Sequence, residues 1–268
     1  MSGMPQVPVG ASTMYYEQRG AGDPPVVLVH GFPLDGRVFD DQLRSLSGTH
    51  RVIVPDLPGF GRSPPAGDFT IASLADDLQA FLAQVGALPC VLAGLSMGGY
   101  VALEFARRHP TDLRGLMLID TRAEADAPEA RANRDRMIEI ARSRGARAIA
   151  EQMLPKMLAE ATAHANPAVA QRLRQIMESQ PVDTICRALA AMRDRDDLTA
   201  VLKSIDLPTL IIVGEYDVIT PPALAERMHA ALNRSWLATI EGSGHMPSIE
   251  RPEQVTRAIT RLLEELKS

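Results

Sequence analysis

A serine flanked by glycines is the first group in this sequence that could do chemistry. The segment Gly94-Leu95-Ser96-Met97-Gly98 fits the pattern G-x-S-x-G, in which a sharp turn between a strand and a helix presents the serine hydroxyl as a nucleophile. Small residues two positions to either side let the chain pass close to itself at this strained turn. Because the pattern also occurs in ordinary turns, a catalytic role for Ser96 requires a base and an acid elsewhere in the chain.

A histidine and a carboxylate follow this serine, each after an apolar run. Asp217 comes after Leu210–Val213, and His245 comes after Trp236–Ile240. Both positions lie at the carboxyl ends of predicted strands, where open parallel sheets form their sites. We expect His245 to accept the serine proton and Asp217 to orient the imidazole. Asp120 also ends a predicted strand and is the alternative acid.

An oxyanion needs two hydrogen-bond donors, and the sequence offers them as backbone amides. The apolar run Val26–Val29 is followed by His30, Gly31 and Phe32. Gly31 lets the chain bend so that the N–H of Phe32 points at the site, and the N–H of Met97 is the second donor. We interpret His30 as structural, with its ring holding the loop by hydrogen bonds.

These segments together resemble the serine α/β-hydrolase superfamily, in particular the bacterial branch of small carboxylesterases and 3-oxoadipate enol-lactonases. The resemblance implies an α/β fold, with a mostly parallel central sheet and helices on both faces. It also implies catalysis by Ser96, Asp217 and His245 through an acyl-serine intermediate. The segments that carry it are HGFP (30–33), PDLPGFGRS (55–63), GLSMGGY (94–100), GEYDVITPP (214–222) and GSGHMPSIERP (242–252).

The rest of the sequence supplies elements that could position these groups. Short, nearly continuous apolar runs predict parallel strands buried on both faces. An apolar stripe from Ile71 to Val85 predicts a helix, with Thr70 or Ser73 near its start. First helical turns are expected at Pro221 and Pro252. The predicted strands are Val26–Val29, Val52–Val54, Cys90–Ala93, Leu116–Ile119, Leu210–Val213 and Trp236–Ile240.

Residues 122–200 interrupt this alternation of strands and helices. The segment is rich in Ala, Arg, Glu and Met and has helical spacing. We predict a helical cap, or lid, of about four helices inserted into a core domain made of residues 1–121 and 201–268. Breaks between helices are expected at Gly145, Pro155, Pro167 and Pro181.

Composition limits the class of protein. The 268 residues, 46% of them hydrophobic, allow a large α/β core, and the net charge of -5 gives no basic surface for nucleic acid. No apolar run approaches the roughly 20 residues of a membrane helix, and Met1–Gln6 lacks the features of a signal peptide. We expect a cytoplasmic protein with no membrane or nucleic-acid partner. Two cysteines, Cys90 and Cys186, are expected to be reduced and structural.

No cofactor or metal is expected from the sequence. Gly20-Ala21-Gly22 lacks the third glycine of a dinucleotide-binding loop, and no histidine pair has the spacing of a zinc site.

The absence of aromatic residues from 122–200 favours a hydrolase of small esters with short acyl chains. Two alternatives stay open, namely a lactone hydrolase similar to 3-oxoadipate enol-lactonase, and a ligand-binding or signalling protein on a hydrolase fold with slow turnover. The expected partner is a small ester or lactone, and the oligomeric state is open.

Overall fold

An eight-stranded sheet forms the centre of the molecule, whose computed structural model describes residues 5–10 and 12–266. Residues 1–4, part of the segment without signal-peptide features, lie outside the described residues. The spatial order of the strands is β1-β2-β4-β3-β5-β6-β7-β8. The strands are β1 (Gln6–Val9), β2 (Ser12–Arg19), β3 (Val26–Val29), β4 (Val52–Pro55), β5 (Cys90–Leu95), β6 (Leu113–Ile119), β7 (Thr209–Gly214) and β8 (Ser235–Ile240).

The sheet is mostly parallel, as predicted. Strands β3 to β8 pair in parallel, whereas β1 and β2 form an antiparallel edge that joins the sheet through β4. The predicted apolar runs correspond to β3 to β8. No apolar run in the sequence predicts β1 or β2, because their side chains are only partly buried.

Ten α-helices accompany the sheet within the described residues. Strand β5 illustrates how both faces are buried, since Leu92 belongs to one apolar cluster and Val91 to the other. The helices are α1 (Asp40–Leu46), α2 (Ile71–Gln84), α3 (Met97–Arg108), α4 (Pro128–Met157), α5 (Glu160–Ala165), α6 (Pro167–Glu178), α7 (Val182–Arg193), α8 (Pro222–Ala231), α9 (Pro247–Glu250) and α10 (Pro252–Glu265).

Helix starts follow local sequence signals. In α2 the Thr70 hydroxyl accepts from the N–H of Ser73, and the Ser73 hydroxyl accepts from the N–H of Thr70, which makes a reciprocal cap. Helix α10 begins at Pro252, as predicted. Helix α8 begins at Pro222, one residue after the predicted position, with Pro221 as its N-cap.

Helices α4 to α7 lie between β6 and β7 in the chain and form the segment that we call the helical insertion (residues 122–200). Helix α4 breaks at Gly145, where φ is 78°, as expected. The break predicted at Pro155 is wrong, because this proline lies in the last turn of α4. The division into a core and a lid stays a prediction.

Candidate active site

Ser96 lies between β5 and α3 with φ 53° and ψ -112°, a conformation that is strained for a non-glycine residue. The neighbouring glycines make the turn feasible. A Cβ atom on Gly94 would overlap the carbonyl of Gly98, and one on Gly98 would overlap the carbonyl of Val29. The turn therefore requires glycine at both positions that the G-x-S-x-G pattern fixes.

The structure brings the three predicted side chains together. Ser96 Oγ lies 3.0 Å from His245 Nε2, and His245 Nδ1 lies 2.8 Å from Asp217 Oδ2. His245 and Asp217 are buried, whereas Ser96 is partly exposed. With its Nδ1–H donated to Asp217, the imidazole presents an Nε2 lone pair to the serine hydroxyl.

Asp217 sits among hydrogen-bond donors from its own loop. Its Oδ1 accepts from the N–H groups of Ile219 at 2.7 Å and Thr220 at 3.0 Å, and its Oδ2 accepts from the Thr220 hydroxyl at 2.6 Å. Burial acts to raise the pKa of Asp217, but the charge and hydrogen bond of His245, together with the other donors, hold that pKa well below its usual range. Asp217 is therefore an anion at neutral pH.

Asp120, the alternative acid, ends β6 but does not hydrogen-bond His245. Its Oδ1 accepts from the N–H of Gly214 at 2.8 Å. Ligand atoms of Asp120, Asp217 and His245 lie within 4.8 Å of one another, which is close enough for a metal site. However, Asp217 and His245 already hydrogen-bond each other, and this favours a shared hydrogen-bond network.

The predicted oxyanion donors both border Ser96. Met97 is the first residue of α3, so its N–H has no acceptor within the helix. The loop before Phe32 runs close to the serine, since a Cβ on Gly31 would lie 3.1 Å from the Cβ of Ser96. Within the described part of the chain, no acceptor is found for the Phe32 N–H. Both amides are thus available to a ligand, and their role stays a prediction.

His30 fits the structural interpretation. Its ring is fully buried and lies between two backbone groups, with Nδ1 2.9 Å from the carbonyl of Gly31 and Nε2 accepting from the N–H of Leu57 at 3.0 Å. Burial lowers the pKa of His30 and keeps the ring neutral. The residue ties the loop that carries Phe32 to the loop after β4.

Glu250 was missed by sequence reasoning. Its Oε1 accepts from the N–H of Gly244 at 2.8 Å and of Met246 at 3.3 Å, the two neighbours of His245. Its Oε2 accepts from the N–H of Ala159 in the helical insertion at 2.9 Å. The only sequence signal for it is its place in the segment GSGHMPSIERP. Glu250 thus connects the histidine loop to the helical insertion.

Arginines of the helical insertion also have structural contacts. Asp126 is buried and pairs with Arg122, with Arg134 at 3.0 Å and with Arg195 at 2.8 Å. The guanidinium of Arg195 lies 4.1 Å above the ring of Tyr100. These contacts give Arg195 a structural role.

Cys90 and Cys186 are free and buried, and burial raises the pKa of the Cys90 thiol to about 12. None of the helices in the described ranges is both long and apolar enough to cross a membrane.

Comparison with known proteins identifies the family. Residues 24–252 match the profile of a family described as the α/β hydrolase fold. The chain belongs to the α/β-hydrolase family. The resemblance and the fold class inferred from the sequence are thereby confirmed.

Individual relatives are similar over most of their length. A pimeloyl-[acyl-carrier protein] methyl ester esterase from Neisseria meningitidis is 34% identical over 234 residues, covering 85% of this chain and 88% of the relative. A thermophilic esterase from Thermogutta terrifontis, solved with malate bound, has a TM-score of 0.95 and 40% identity, covering 98% of this chain and 100% of that one. An enol-lactonase from Burkholderia xenovorans LB400 has a TM-score of 0.91, covering 97% of this chain and 100% of that one, but its 24% identity shows the fold alone.

Proposed function

We propose that this protein is a serine hydrolase that cleaves small carboxylic esters with short acyl chains through an acyl-serine intermediate. Ester hydrolysis itself follows from the esterases to which the chain is similar, so the chain is a carboxylic ester hydrolase. The observation that carries the serine mechanism is the continuous contact from Ser96 Oγ through His245 to Asp217, with distances of 3.0 Å and 2.8 Å.

In the acylation step, Ser96 Oγ attacks the ester carbonyl carbon while His245 Nε2 takes the hydroxyl proton. The negative charge that develops on the carbonyl oxygen is stabilised by the N–H groups of Phe32 and Met97. As the tetrahedral intermediate breaks down, His245 returns the proton to the leaving alkoxide, and an alcohol departs. Asp217 stays ionised throughout and stabilises the imidazolium.

Deacylation repeats these steps with water as the nucleophile. His245 Nε2 takes a proton from water, and the resulting hydroxide attacks the acyl carbon. The bond to Ser96 Oγ then breaks, and His245 returns the proton to the serine. The products are a carboxylic acid and the regenerated enzyme.

The surroundings of the site support an apolar acyl group. Phe32, Met97 and Tyr100 belong to a buried cluster that continues into the helical insertion through aliphatic and thioether side chains. Apolar side chains offer few fixed polar donors with which to select a substrate, so we expect the preference for acyl chain length to be graded. The members from the helical insertion include Met137, Ile138, Ile149, Ile185, Leu189 and Met192.

A second candidate substrate comes from the Neisseria relative. That protein is named for the methyl ester of pimeloyl-[acyl-carrier protein], and it is 34% identical to this chain. The methyl ester of a carrier-bound acyl chain is therefore the substrate to test beside short esters. The enol-lactone alternative lacks such support, because the lactonase structure is only 24% identical.

Labelling and mutation of Ser96 test the proposal. A serine-directed phosphonate should label Ser96, and Ser96→Ala should remove nearly all hydrolysis of p-nitrophenyl acetate, a loss on the order of a millionfold in kcat. Ser143→Ala, at an exposed serine of α4, is the matched control and should hydrolyse normally. Retention of a tenth of the activity by Ser96→Ala would contradict the mechanism. A burst followed by negligible turnover would favour the ligand-binding alternative.

A further inference from the structure

Asp120 shares an unusual backbone conformation with the proposed nucleophile. Among the described residues, Ser96 and Asp120 are the non-glycine residues with positive φ, at 53° and 42°. The strain at Ser96 is explained by the turn that presents its hydroxyl. Strain of this kind persists where the surroundings over-determine it, often at functional sites. Asp120 has no part in the mechanism described so far.

The Asp120 side chain is enclosed, and one of its oxygens lacks a donor. The residue is 1% exposed, and its Oδ1 accepts from the N–H of Gly214. Oδ2 is buried and has no N–H or O–H donor among the described residues. A carboxyl oxygen of Asp120 lies within 4.8 Å of one of Asp217. Two buried carboxyl groups this close repel each other when both are ionised, and a proton on one of them lets it donate a hydrogen bond to the other.

Electrostatics decides which of the two carboxyl groups holds that proton. Two carboxylates that share a dry site cannot both ionise at ordinary cost. Asp217 is surrounded by donors from Ile219, Thr220 and His245, all of which favour its charged form. Asp120 has a single N–H donor. The charge therefore belongs on Asp217 and the proton on Asp120.

We propose that Asp120 is a positioning residue that remains a neutral carboxylic acid and donates its Oδ2 hydrogen to the Asp217 carboxylate. This inference rests on the proposed role of Asp217 in orienting His245. The hydrogen bond holds the Asp217 carboxylate in place, and the neutral state keeps a second negative charge away from the imidazole.

The acidic neighbours of Asp120 favour its neutral form, because each places a negative charge near it. The groups that face it are Asp217 after β7, His245 after β8 and Glu250 in α9. Burial is the main cause that raises the pKa of Asp120, followed by the charge of Asp217, while the Gly214 N–H opposes the shift. Glu250 adds a further negative charge.

Infrared spectroscopy tests the protonation state without any need for catalysis. At pH 7, the difference spectrum between the wild-type protein and Asp120→Asn should contain the C=O stretching band of a buried protonated carboxyl group. The same band should remain in Ser96→Ala, which separates this inference from the proposed mechanism. Absence of the band would overturn the neutral state of Asp120, whatever the activity of the enzyme.

Kinetics tests the positioning role. Asp120→Asn keeps an N–H donor toward Asp217 and tolerates positive φ, whereas Asp120→Ala removes the donor. We expect Asp120→Ala to lower kcat about 10- to 100-fold, the cost of a lost hydrogen bond to a charged group, with little change in KM. We expect Asp120→Asn to rescue most of this loss.

The pH profile of kcat/KM separates the outcomes. The acid limb should stay at the wild-type pH in Asp120→Asn, and should move to higher pH in Asp120→Ala as the Asp217 charge acts more strongly on the imidazole. If Asp120 is instead ionised, Asp120→Asn removes a negative charge and moves the limb to lower pH by about 1 unit or more. A wild-type profile and kcat in Asp120→Ala would refute the positioning role.

Discussion

Replacement of Asp217 by Asn tests how the site fixes the tautomer of its histidine. Two backbone N–H groups, from Ile219 and Thr220, donate to Oδ1. The amide oxygen of an asparagine must occupy this position, because an NH2 group there would face two buried donors. The NH2 group is then directed at the position of Oδ2, which faces His245 Nδ1 at 2.8 Å.

The imidazole must respond by moving its proton. Nδ1 now has to accept a hydrogen bond, so the proton lies on Nε2 and faces Ser96 Oγ 3.0 Å away. In this tautomer the ring cannot accept the serine proton. A wrong tautomer of this kind lowers kcat by about 10,000-fold, equivalent to about 5.4 kcal/mol at 1.36 kcal/mol for each factor of ten.

The assay is steady-state hydrolysis of p-nitrophenyl acetate by Asp217→Asn, with circular dichroism to check the fold. Asp68→Asn, at a fully solvent-facing carboxylate, is the matched control and should keep wild-type kcat. Retention of more than a tenth of kcat by Asp217→Asn, together with a severe loss in Asp120→Asn, would show that the acid was assigned to the wrong strand end.

Three further predictions concern stability, the histidine loop and substrate choice. An acid that is protonated when folded and ionised when unfolded destabilises the folded state as pH rises above about 3.9. The free energy of unfolding of Asp120→Asn should therefore increase relative to that of the wild type by about 1.4 kcal/mol per pH unit above this value. Equal pH dependence of the two proteins in denaturant titrations would contradict this. The two carboxylate oxygens of Glu250 accept from the N–H groups of Gly244, Met246 and Ala159, and Glu250→Gln replaces one of these oxygens by an NH2 donor. Both kcat and Tm should therefore fall. A wild-type Tm would contradict the role of Glu250 in connecting the histidine loop to the helical insertion. In kcat/KM measurements from acetyl to hexanoyl esters, neighbouring chain lengths should differ by less than about 200-fold, and a preference of about 100-fold or more for an enol-lactone acid would favour the lactonase alternative.

Local signals explain why the core of the fold and the candidate site were predictable. The strands β3 to β8 are short apolar runs, and the turn around Ser96 carries its own glycines. Because parallel strands end at a common edge, Asp217 and His245 could be placed near Ser96 before any distance was known. Strands β1 and β2 were not found, since partly buried edge strands need no continuous apolar run.

The remaining features depend on contacts between distant parts of the chain. Glu250 lies 91 residues from Ala159, and no local pattern links the two. The choice between Asp120 and Asp217 has the same origin: both end a strand, and only the donors that surround each carboxyl group distinguish them. Asp217 carries those donors on the loop that follows it, from Ile219 and Thr220, whereas Asp120 depends on Gly214, 94 residues away. A carboxylate that brings its own donors can remain charged when it is buried, and one that lacks them is more stable with a proton. The sequence thus contains the reason for the assignment, but only the structure shows that the two carboxyl groups meet.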